Sequence, residues 1–293
     1  MNQERNWRNL WGNSLYLLPG LMLYLLFFLI PAFQNMIFSF YRMDSLTKGV
    51  FVGLQNYQSM ISDQLFQSAL FHALYFMVLY ATIPVLLGLI VAIILARARL
   101  KGTTLLRCVF FLPYIVTAVA IGITFQWVYS PNNGLLDTVL KFIGLGFLRK
   151  VWYGDEATAI HAVGAIGVWM TFGYMMLIFL AGLQRTDESL YEAAKVDGAN
   201  VWHQFINITI PSLKNDITIA IIFNIINGLR VFGLVMATTR GGPGNSTLVM
   251  DQYAIQTAFS QGDLGYGASL TVVITLITLI VSLLVMWIRR EES

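Results

Sequence analysis

Charged residues are scarce in this chain. Asp, Glu, Lys and Arg make up only 11% of its 293 residues, hydrophobic residues make up 57%, and the mean hydropathy is +0.68. A soluble globular domain usually carries about 25% charged residues. The composition therefore excludes that class, and the long apolar runs predict a single polytopic transmembrane domain over residues 1–293.

Residues that carry redox, metal or nucleotide chemistry are also few. The single cysteine, Cys108, cannot form a disulfide within the chain, and the histidines His72, His161 and His203 are far apart without metal-ligand spacing. No GxxxxGK[ST] phosphate loop is present, so the sequence contains no nucleotide-binding motif of that kind. We expect no metal and no cofactor in this chain. The net charge of +3 gives no reason to expect nucleic acid as a partner.

Six apolar runs are long enough to cross a membrane as helices. About 20 helical residues span the hydrocarbon core of roughly 30 Å, and none of the runs has the alternation of a β-barrel strand. The first run is too long for the apolar core of a signal peptide, so we expect it to remain as a transmembrane helix. The sequence predicts an all-α membrane protein with six transmembrane helices at about residues 14–40, 70–96, 105–128, 157–183, 217–238 and 268–288.

The Lys and Arg residues between these runs predict the orientation. With the N-terminus inside, eleven lie inside and six outside, and Arg230 falls within a span. Positive charge is enriched in cytoplasmic loops, so both termini are predicted to be cytoplasmic. The inside set is Arg5, Arg8, Arg97, Arg99, Lys101, Arg107, Arg185, Lys195, Lys214, Arg289 and Arg290, and the outside set is Arg42, Lys48, Lys141, Arg149, Lys150 and Arg240.

A polar, amphipathic loop at about residues 185–213 separates the fourth run from the fifth. Thr186, Asp187 and Glu188 offer an N-cap and first-turn acids for a short helix, which Gly198 can end in a left-handed conformation. Asn200 can cap a second helix. Pro211 would either end that helix or start the next element. One alternative is an ordinary membrane-surface hairpin, because the second helix has an apolar face formed by Val201, Trp202, Phe205 and Ile208.

The spacing within this loop resembles the EAA loop of ATP-binding-cassette (ABC) importer permeases. Three residues separate the Glu-Ala-Ala triplet from a glycine, and nine more lead to an isoleucine shortly before a proline. The family has Leu at the position of Ile210, which is a conservative difference. The resemblance implies that the loop forms coupling helices that dock on an ATPase subunit, with Glu192, Ala193, Ala194, Asp197, Gly198, Ile208 and Pro211 as the coupling residues.

Four further motifs are similar to the carbohydrate-uptake subgroup, or maltose type, of these permeases. Asp137 and His72 depart from it, because relatives commonly have Asn at both positions. The resemblance implies the type I importer fold, a second homologous permease, an ABC ATPase dimer that binds ATP and Mg, an extracytoplasmic binding protein, and a bacterial cytoplasmic (inner) membrane. The motifs are FVGLQNY at 51–57, RCVFFLP at 107–113, YSPNNGLLD at 129–137 and TRGGP at 239–243.

Polar residues within spans are candidates for the substrate path, because burying them in lipid is costly. Asn224, Asn227 and Arg230 follow one another at intervals of three residues, on one face of the predicted fifth helix. Sugars are bound by such polar groups together with aromatic rings, which Phe232, Trp169 and Tyr174 could supply. The alternative is that the amides join helices and the rings pack.

The predicted function is transport of sugars or oligosaccharides by a non-enzymatic permease subunit. Arg230 leaves open an anionic substrate, either glycerol phosphate or an acidic sugar. An ATP-independent carrier would be expected to have acidic residues near the middle of its spans, and none is present. An enzyme is not expected either, since no paired carboxylates, HExxH motif or Ser/His arrangement occurs within a span.

Overall fold

A computed structural model describes residues 7–44, 49–97 and 102–291 of the chain. Most of these residues are helical, and one short β-hairpin is present among them. The strands are β1 (Tyr41–Arg42) and β2 (Val50–Phe51). The helices are α1 (Trp7–Tyr24), α2 (Ile30–Phe38), α3 (Gln55–Ser62), α4 (Gln64–Arg97), α5 (Thr103–Ile115), α6 (Ala118–Val128), α7 (Leu135–Phe142), α8 (Glu156–Arg185), α9 (Glu188–Val196), α10 (Val201–Gln204), α11 (Ile210–Ser212), α12 (Lys214–Leu229), α13 (Phe232–Thr238), α14 (Met250–Ile255) and α15 (Leu264–Glu291).

Several of these helices are long and apolar enough to cross a membrane. Four candidate spans are found within the described ranges, at Tyr16–Phe38, Gln64–Ala96, Glu156–Arg185 and Leu264–Ile288. Two bent pairs, α5 with α6 at 99° and the Val201–Ser212 segment with α12 at 70°, would bring the number to six if each pair is one span. The chain is thus a multi-pass membrane protein, and the number of six spans stays a prediction.

Two predicted helices are not continuous. The run at 105–128 breaks where Val116 and Thr117 adopt extended conformations, and the Thr117 side chain accepts a hydrogen bond from the Ala120 N–H that caps the next helix. The run at 217–238 breaks at Arg230, whose φ of −117° and ψ of 40° end α12. Apolar residues continue on both sides of each break, so the apolar pattern alone predicted continuous helices there.

Two prolines follow the end of a π-helical turn, with one residue in between. Pro31 follows the turn Leu25–Leu29, and Pro211 follows the turn Phe205–Thr209. Proline has no N–H, and its ring collides with the carbonyl four residues earlier in a regular α-helix. The wider π turn relieves that collision, so both segments continue as helices through their prolines.

The described chain forms two compact units, while the single domain expected from the sequence remains a prediction. The first unit comprises residues up to 62 together with 254–273. In it, β1 and β2 pair antiparallel, and the Asn56 amide donates hydrogen bonds to the carbonyls of Ser39 at 2.8 Å and Tyr41 at 3.0 Å. The FVGLQNY motif therefore contributes a strand residue and a buried amide that hold this hairpin to α3.

The second unit comprises residues 63–253 and the chain from 274 onward, and it contains the EAA-like loop. Its core packs α4, α8 and α12 around buried Met175, Phe179 and Leu213. Close approach of these helices depends on glycines, because a Cβ at Gly228 would collide with the α4 backbone and one at Gly173 with the α5 backbone. Small residues at helix contacts are typical of membrane proteins, where backbones pack closely.

Candidate functional site

The EAA-like loop comprises residues 185–213. Its first half contains the short helix α9, which is capped at both ends. The Asp187 carboxylate accepts a hydrogen bond from the Ser189 N–H at 2.9 Å, which lowers the pKa of this carboxyl. At the other end, Gly198 has a φ of 78°, and the Ala199 N–H donates to the Ala194 carbonyl at 2.8 Å. This is the hydrogen-bond pattern of a Schellman motif. The predicted cap at Asp187 and the left-handed turn at Gly198 are confirmed.

The second half of the loop turns the chain toward α12. The Asn200 side chain accepts a hydrogen bond from the His203 N–H at 2.9 Å, which confirms the predicted cap of α10. Gln204 is buried and donates to the Ala199 carbonyl at 2.9 Å, so it fastens α10 to the end of the preceding turn. The chain then passes through the π turn and Pro211 before α12 begins.

Two side-chain contacts hold the base of the loop closed. The Arg185 guanidinium donates to both carboxylate oxygens of Asp216 at 2.7 and 2.8 Å, which joins the end of α8 to the start of α12. The Tyr191 hydroxyl is 3.0 Å from the Thr209 hydroxyl. Sequence reasoning missed both contacts, although Asp216 was detectable as an isolated acid at the start of an apolar run.

The predicted coupling residues lie mostly on the outer surface of the loop. Glu192, Ala193, Asp197, Gly198 and Pro211 are exposed, while Ala194 and Ile208 are half-buried. The same loop also exposes three apolar side chains, called here the apolar patch: Val196, Val201 and Trp202, whose exposed fractions are 88%, 65% and 64%. A rigid loop that presents exposed apolar and acidic side chains together can bind another macromolecule.

The structure places the two candidate amides of the substrate path differently. Asn224 is fully buried, and its amide donates to the Ala220 carbonyl at 2.9 Å and lies 2.8 Å from the Met175 sulfur. Asn227 is half-buried and donates to the Phe223 carbonyl at 2.9 Å. In this structure the Asn224 amide nitrogen joins α12 to α8, and the buried Asn224 side-chain oxygen has no hydrogen-bond partner among the described residues.

Arg230 has an acidic neighbour that the sequence did not indicate. Its Nε atom lies 3.7 Å from an oxygen of Asp251, the first acidic residue after the break in the predicted fifth helix. The Arg230 side chain is 57% exposed, whereas that of Asp251 is 17% exposed. The guanidinium therefore remains open on one side, with part of its charge balanced by a carboxylate.

The three candidate rings lie in different surroundings. Tyr174 stacks on Tyr114 with ring centroids 4.4 Å apart and an interplanar angle of 6°, and Phe223 lies 5.1 Å from Tyr174. Trp169 is 43% exposed and packs 5.5 Å from Phe125. Phe232 begins α13 and is half-buried. Tyr114 was not singled out from the sequence, although it follows the proline of the RCVFFLP motif directly.

Comparison with known proteins agrees with this architecture. Residues 84–290 match the family described as the binding-protein-dependent transport system inner membrane component. The chain is 34% identical to the probable ABC transporter permease protein YurN of Bacillus subtilis, over 93% of this chain and 94% of that protein. It is also 34% identical to the trehalose/maltose transport system permease protein MalF of Thermococcus litoralis, over 94% of each chain.

A solved structure shows a similar fold. It is a bacterial alginate ABC transporter in complex with an alginate pentasaccharide-bound periplasmic protein. One of its chains superposes on this protein with a TM-score of 0.85 and 18% identity, covering 99% of this chain and 98% of the other. The family match over most of the sequence and the two permeases at 34% identity show that the chain belongs to the ABC transporter permeases, the family described as the binding-protein-dependent transport system inner membrane component.

Proposed function

We propose that this chain is the permease subunit of an importer for sugars or oligosaccharides, driven by separate ATPase subunits. It forms half of a translocation path with a second homologous permease, and an extracytoplasmic binding protein delivers the substrate. ATP and Mg are bound by the ATPase dimer, and the chain itself needs no cofactor. The membrane is the bacterial cytoplasmic (inner) membrane, with both termini and the EAA-like loop on the cytoplasmic side.

One observation carries the coupling part of this proposal. The apolar patch of Val196, Val201 and Trp202 is highly exposed on a loop whose two helices are capped and whose base is closed by Arg185 and Asp216. Large exposed apolar side chains rimmed by polar residues are typical of protein interfaces. A stiff loop transmits a displacement of its tip to α8 and α12, so closure of the ATPase dimer would move both helices.

The substrate part rests on the relatives and on the second unit of the fold. MalF of Thermococcus litoralis is named for trehalose and maltose. Here Tyr174 stacks on Tyr114 and its ring lies 5.1 Å from that of Phe223, whose backbone carbonyl accepts a hydrogen bond from the Asn227 amide. Stacked rings beside an amide suit a sugar, which presents apolar C–H faces and hydroxyls together.

The surroundings of Arg230 indicate whether the substrate is neutral or anionic. Because Asp251 offsets part of its charge, we favour a neutral sugar, with glycerol phosphate or an acidic sugar as the second candidate. Replacing Arg230 with Gln should leave uptake of a neutral sugar such as maltose within about twofold, since no charged hydrogen bond to that substrate is lost. A selective loss of uptake of an acidic sugar in the same cells would support the second candidate instead.

The coupling proposal is tested by purification of the assembled complex in mild detergent. Trp202→Asp should greatly lower the amount of ATPase that co-purifies with the tagged chain, because it places a charge in the centre of an apolar contact. Phe142→Asp is the matched control, since Phe142 is 91% exposed but lies on α7, outside the loop. Equal retention of the ATPase by both variants would contradict the assignment of the loop.

A further inference from the structure

A cavity of about 910 Å³ lies between the EAA-like loop and the ends of the neighbouring helices, and Val201 of the apolar patch is one of its lining residues. Its walls are the last turns of α4 and α8, the α5 helix at Arg107, and the inner faces of α9 and α10. Small-molecule sites typically have volumes of about 300–1,000 Å³. None of the residues predicted for the substrate path lines this cavity, so it is separate from that path.

The charges that line the cavity are mainly positive. Arg107 enters from α5 and Lys195 from α9, and Glu188 is the acidic residue in the lining. Within the described ranges, neither Arg107 nor Lys195 has an ion-pair partner. The Nε atom of Arg107 is buried and has no hydrogen-bond acceptor among the described residues. Buried donors of this kind are normally satisfied, so an anion would complete the site.

Neutral hydrogen-bonding groups line the rest of the cavity. Gln184, Asn200 and Gln204 contribute amides, and Thr186 contributes a hydroxyl. Such groups match hydroxyls or ester oxygens, while a guanidinium and an ammonium match phosphate oxygens. We propose that this cavity binds a phosphate-bearing molecule, whose phosphate is held by Arg107 and Lys195 and whose remaining polar groups contact the amides.

The same phosphate chemistry is available from two sources. One is a soluble sugar phosphate, and the other is the headgroup of an anionic phospholipid at the membrane surface. Either ligand would connect α5 to α9 and hold the loop against the helix ends. Because α9 belongs to the loop that we assign to ATPase coupling, bound ligand would slow the movement of that loop. The effect on transport rests on the proposed function, whereas binding of the ligand does not.

The first test measures binding to the complex purified in detergent, without any transport step. Glucose 6-phosphate is titrated by calorimetry, with glucose as its uncharged match. Native mass spectrometry compares phosphatidylglycerol with phosphatidylcholine on the same sample. Saturable binding of glucose 6-phosphate supports a soluble ligand, and selective retention of phosphatidylglycerol supports a lipid. Binding of neither, or equal binding of the charged and uncharged probes, overturns the proposal.

Substitutions then locate the site. Arg107→Gln and Lys195→Gln should each weaken binding of the selected probe about tenfold or more, as expected for loss of a charge-assisted hydrogen bond. Arg107→Lys keeps the charge but lacks the Nε donor, so its affinity should lie between those of Arg107→Gln and the unchanged chain. Lys195 is exposed on α9, so its replacement leaves the fold intact. Arg240→Gln is the control, because Arg240 is exposed and does not line the cavity. Unchanged binding in both cavity variants places the probe elsewhere and overturns the proposal.

Discussion

The EAA-like loop and the 129–155 segment contain the same kinds of local interaction but are anchored differently. In each, an aspartate caps a helix, a glycine takes a left-handed conformation, and an arginine pairs with a buried aspartate. The pair in the 129–155 segment joins residues 12 apart, whereas the pair at the base of the loop, with Asp216 in α12, joins residues 31 apart. The corresponding residues are Asp155, Gly144 and Arg149–Asp137 in the 129–155 segment, and Asp187, Gly198 and Arg185–Asp216 in the EAA-like loop.

Because the two ion pairs bridge different lengths of chain, we expect one to affect mainly local stability and the other the coupling between helices. The Arg149–Asp137 pair closes a local turn after α7, so its loss affects mainly that segment. The Arg185–Asp216 pair joins the ends of two long core helices, and Gly182 allows this approach because a Cβ there would collide with Asp216 and Leu213. Matched substitutions in the two regions should therefore have similar effects on folding and different effects on transport.

The largest effect is expected from the ion pairs. Arg185→Ala leaves the mostly buried Asp216 carboxylate without its partner, which costs about 1–3 kcal/mol. We expect ATP-driven uptake per inserted chain to fall markedly, while Arg149→Ala lowers thermal stability with uptake largely retained. Uptake in cells and the melting temperature of the purified complex measure the two quantities separately.

Exchange of the two charges provides the control for this prediction. In the double variant Arg185→Asp with Asp216→Arg, the ion pair can form again with its direction reversed, so uptake should recover partly relative to either single variant. Failure of both single variants to change uptake would show that the base of the loop does not transmit force.

A smaller effect is expected from the two left-handed glycines. Gly198→Val places a β-branched residue at a φ of 78°, at a cost of about 1–2 kcal/mol, or about 5- to 30-fold in the population of the native turn. Gly144→Val imposes the same strain at a φ of 79°, and neither glycine has other atoms within 4 Å of its potential Cβ.

Of these two substitutions, only Gly198→Val should lower uptake. Gly198→Asn should preserve most of it, because asparagine tolerates the left-handed conformation. If Gly144→Val lowers uptake as strongly as Gly198→Val, the two regions are equally coupled and the comparison fails. Uptake is normalised to the amount of chain in the membrane, so loss of insertion is measured separately.

The helix caps should give a still smaller difference. Asp187→Ala removes the cap of α9, and Asp155→Ala removes the cap of α8, each at about 1 kcal/mol. The 9-residue α9 depends on its cap far more than the 30-residue α8, which is held by packing along its length. Amide hydrogen exchange should therefore accelerate over residues 188–196 in the first variant and change little over 156–165 in the second.

Local signals in the sequence predicted the loop well. Asp187, Asn200 and Gly198 act through hydrogen bonds and backbone conformations that extend over two to five residues, so their positions follow from residue type and spacing. The coupling role of Glu192 and its neighbours stays a prediction, since their exposure permits docking without showing a partner.

Long-range features could not be predicted in the same way. The pairing of Arg230 with Asp251 and the stacking of Tyr114 on Tyr174 depend on helices that are distant in sequence. The break at Arg230 was not predicted, because apolar residues continue on both sides of this single charged residue. Burial of Asn224 likewise depends on the approach of Met175 from α8, and periodicity in α12 cannot report that neighbour.

The smallest predicted effect is the pH dependence of the 129–155 segment. The Arg149 guanidinium, with its hydrogen bond to Asp137, holds the pKa of that carboxyl below its ordinary value of about 3.9. A lowered pKa in the folded state stabilises the segment fully above the ordinary pKa, and this contribution is lost as the pH falls through the lowered value. Amide exchange over residues 135–150 should therefore show full protection at neutral pH and lose it below about pH 4. In Asp137→Asn the same amides should be less protected at neutral pH and show no such transition, whereas the EAA-like loop should exchange identically in both proteins.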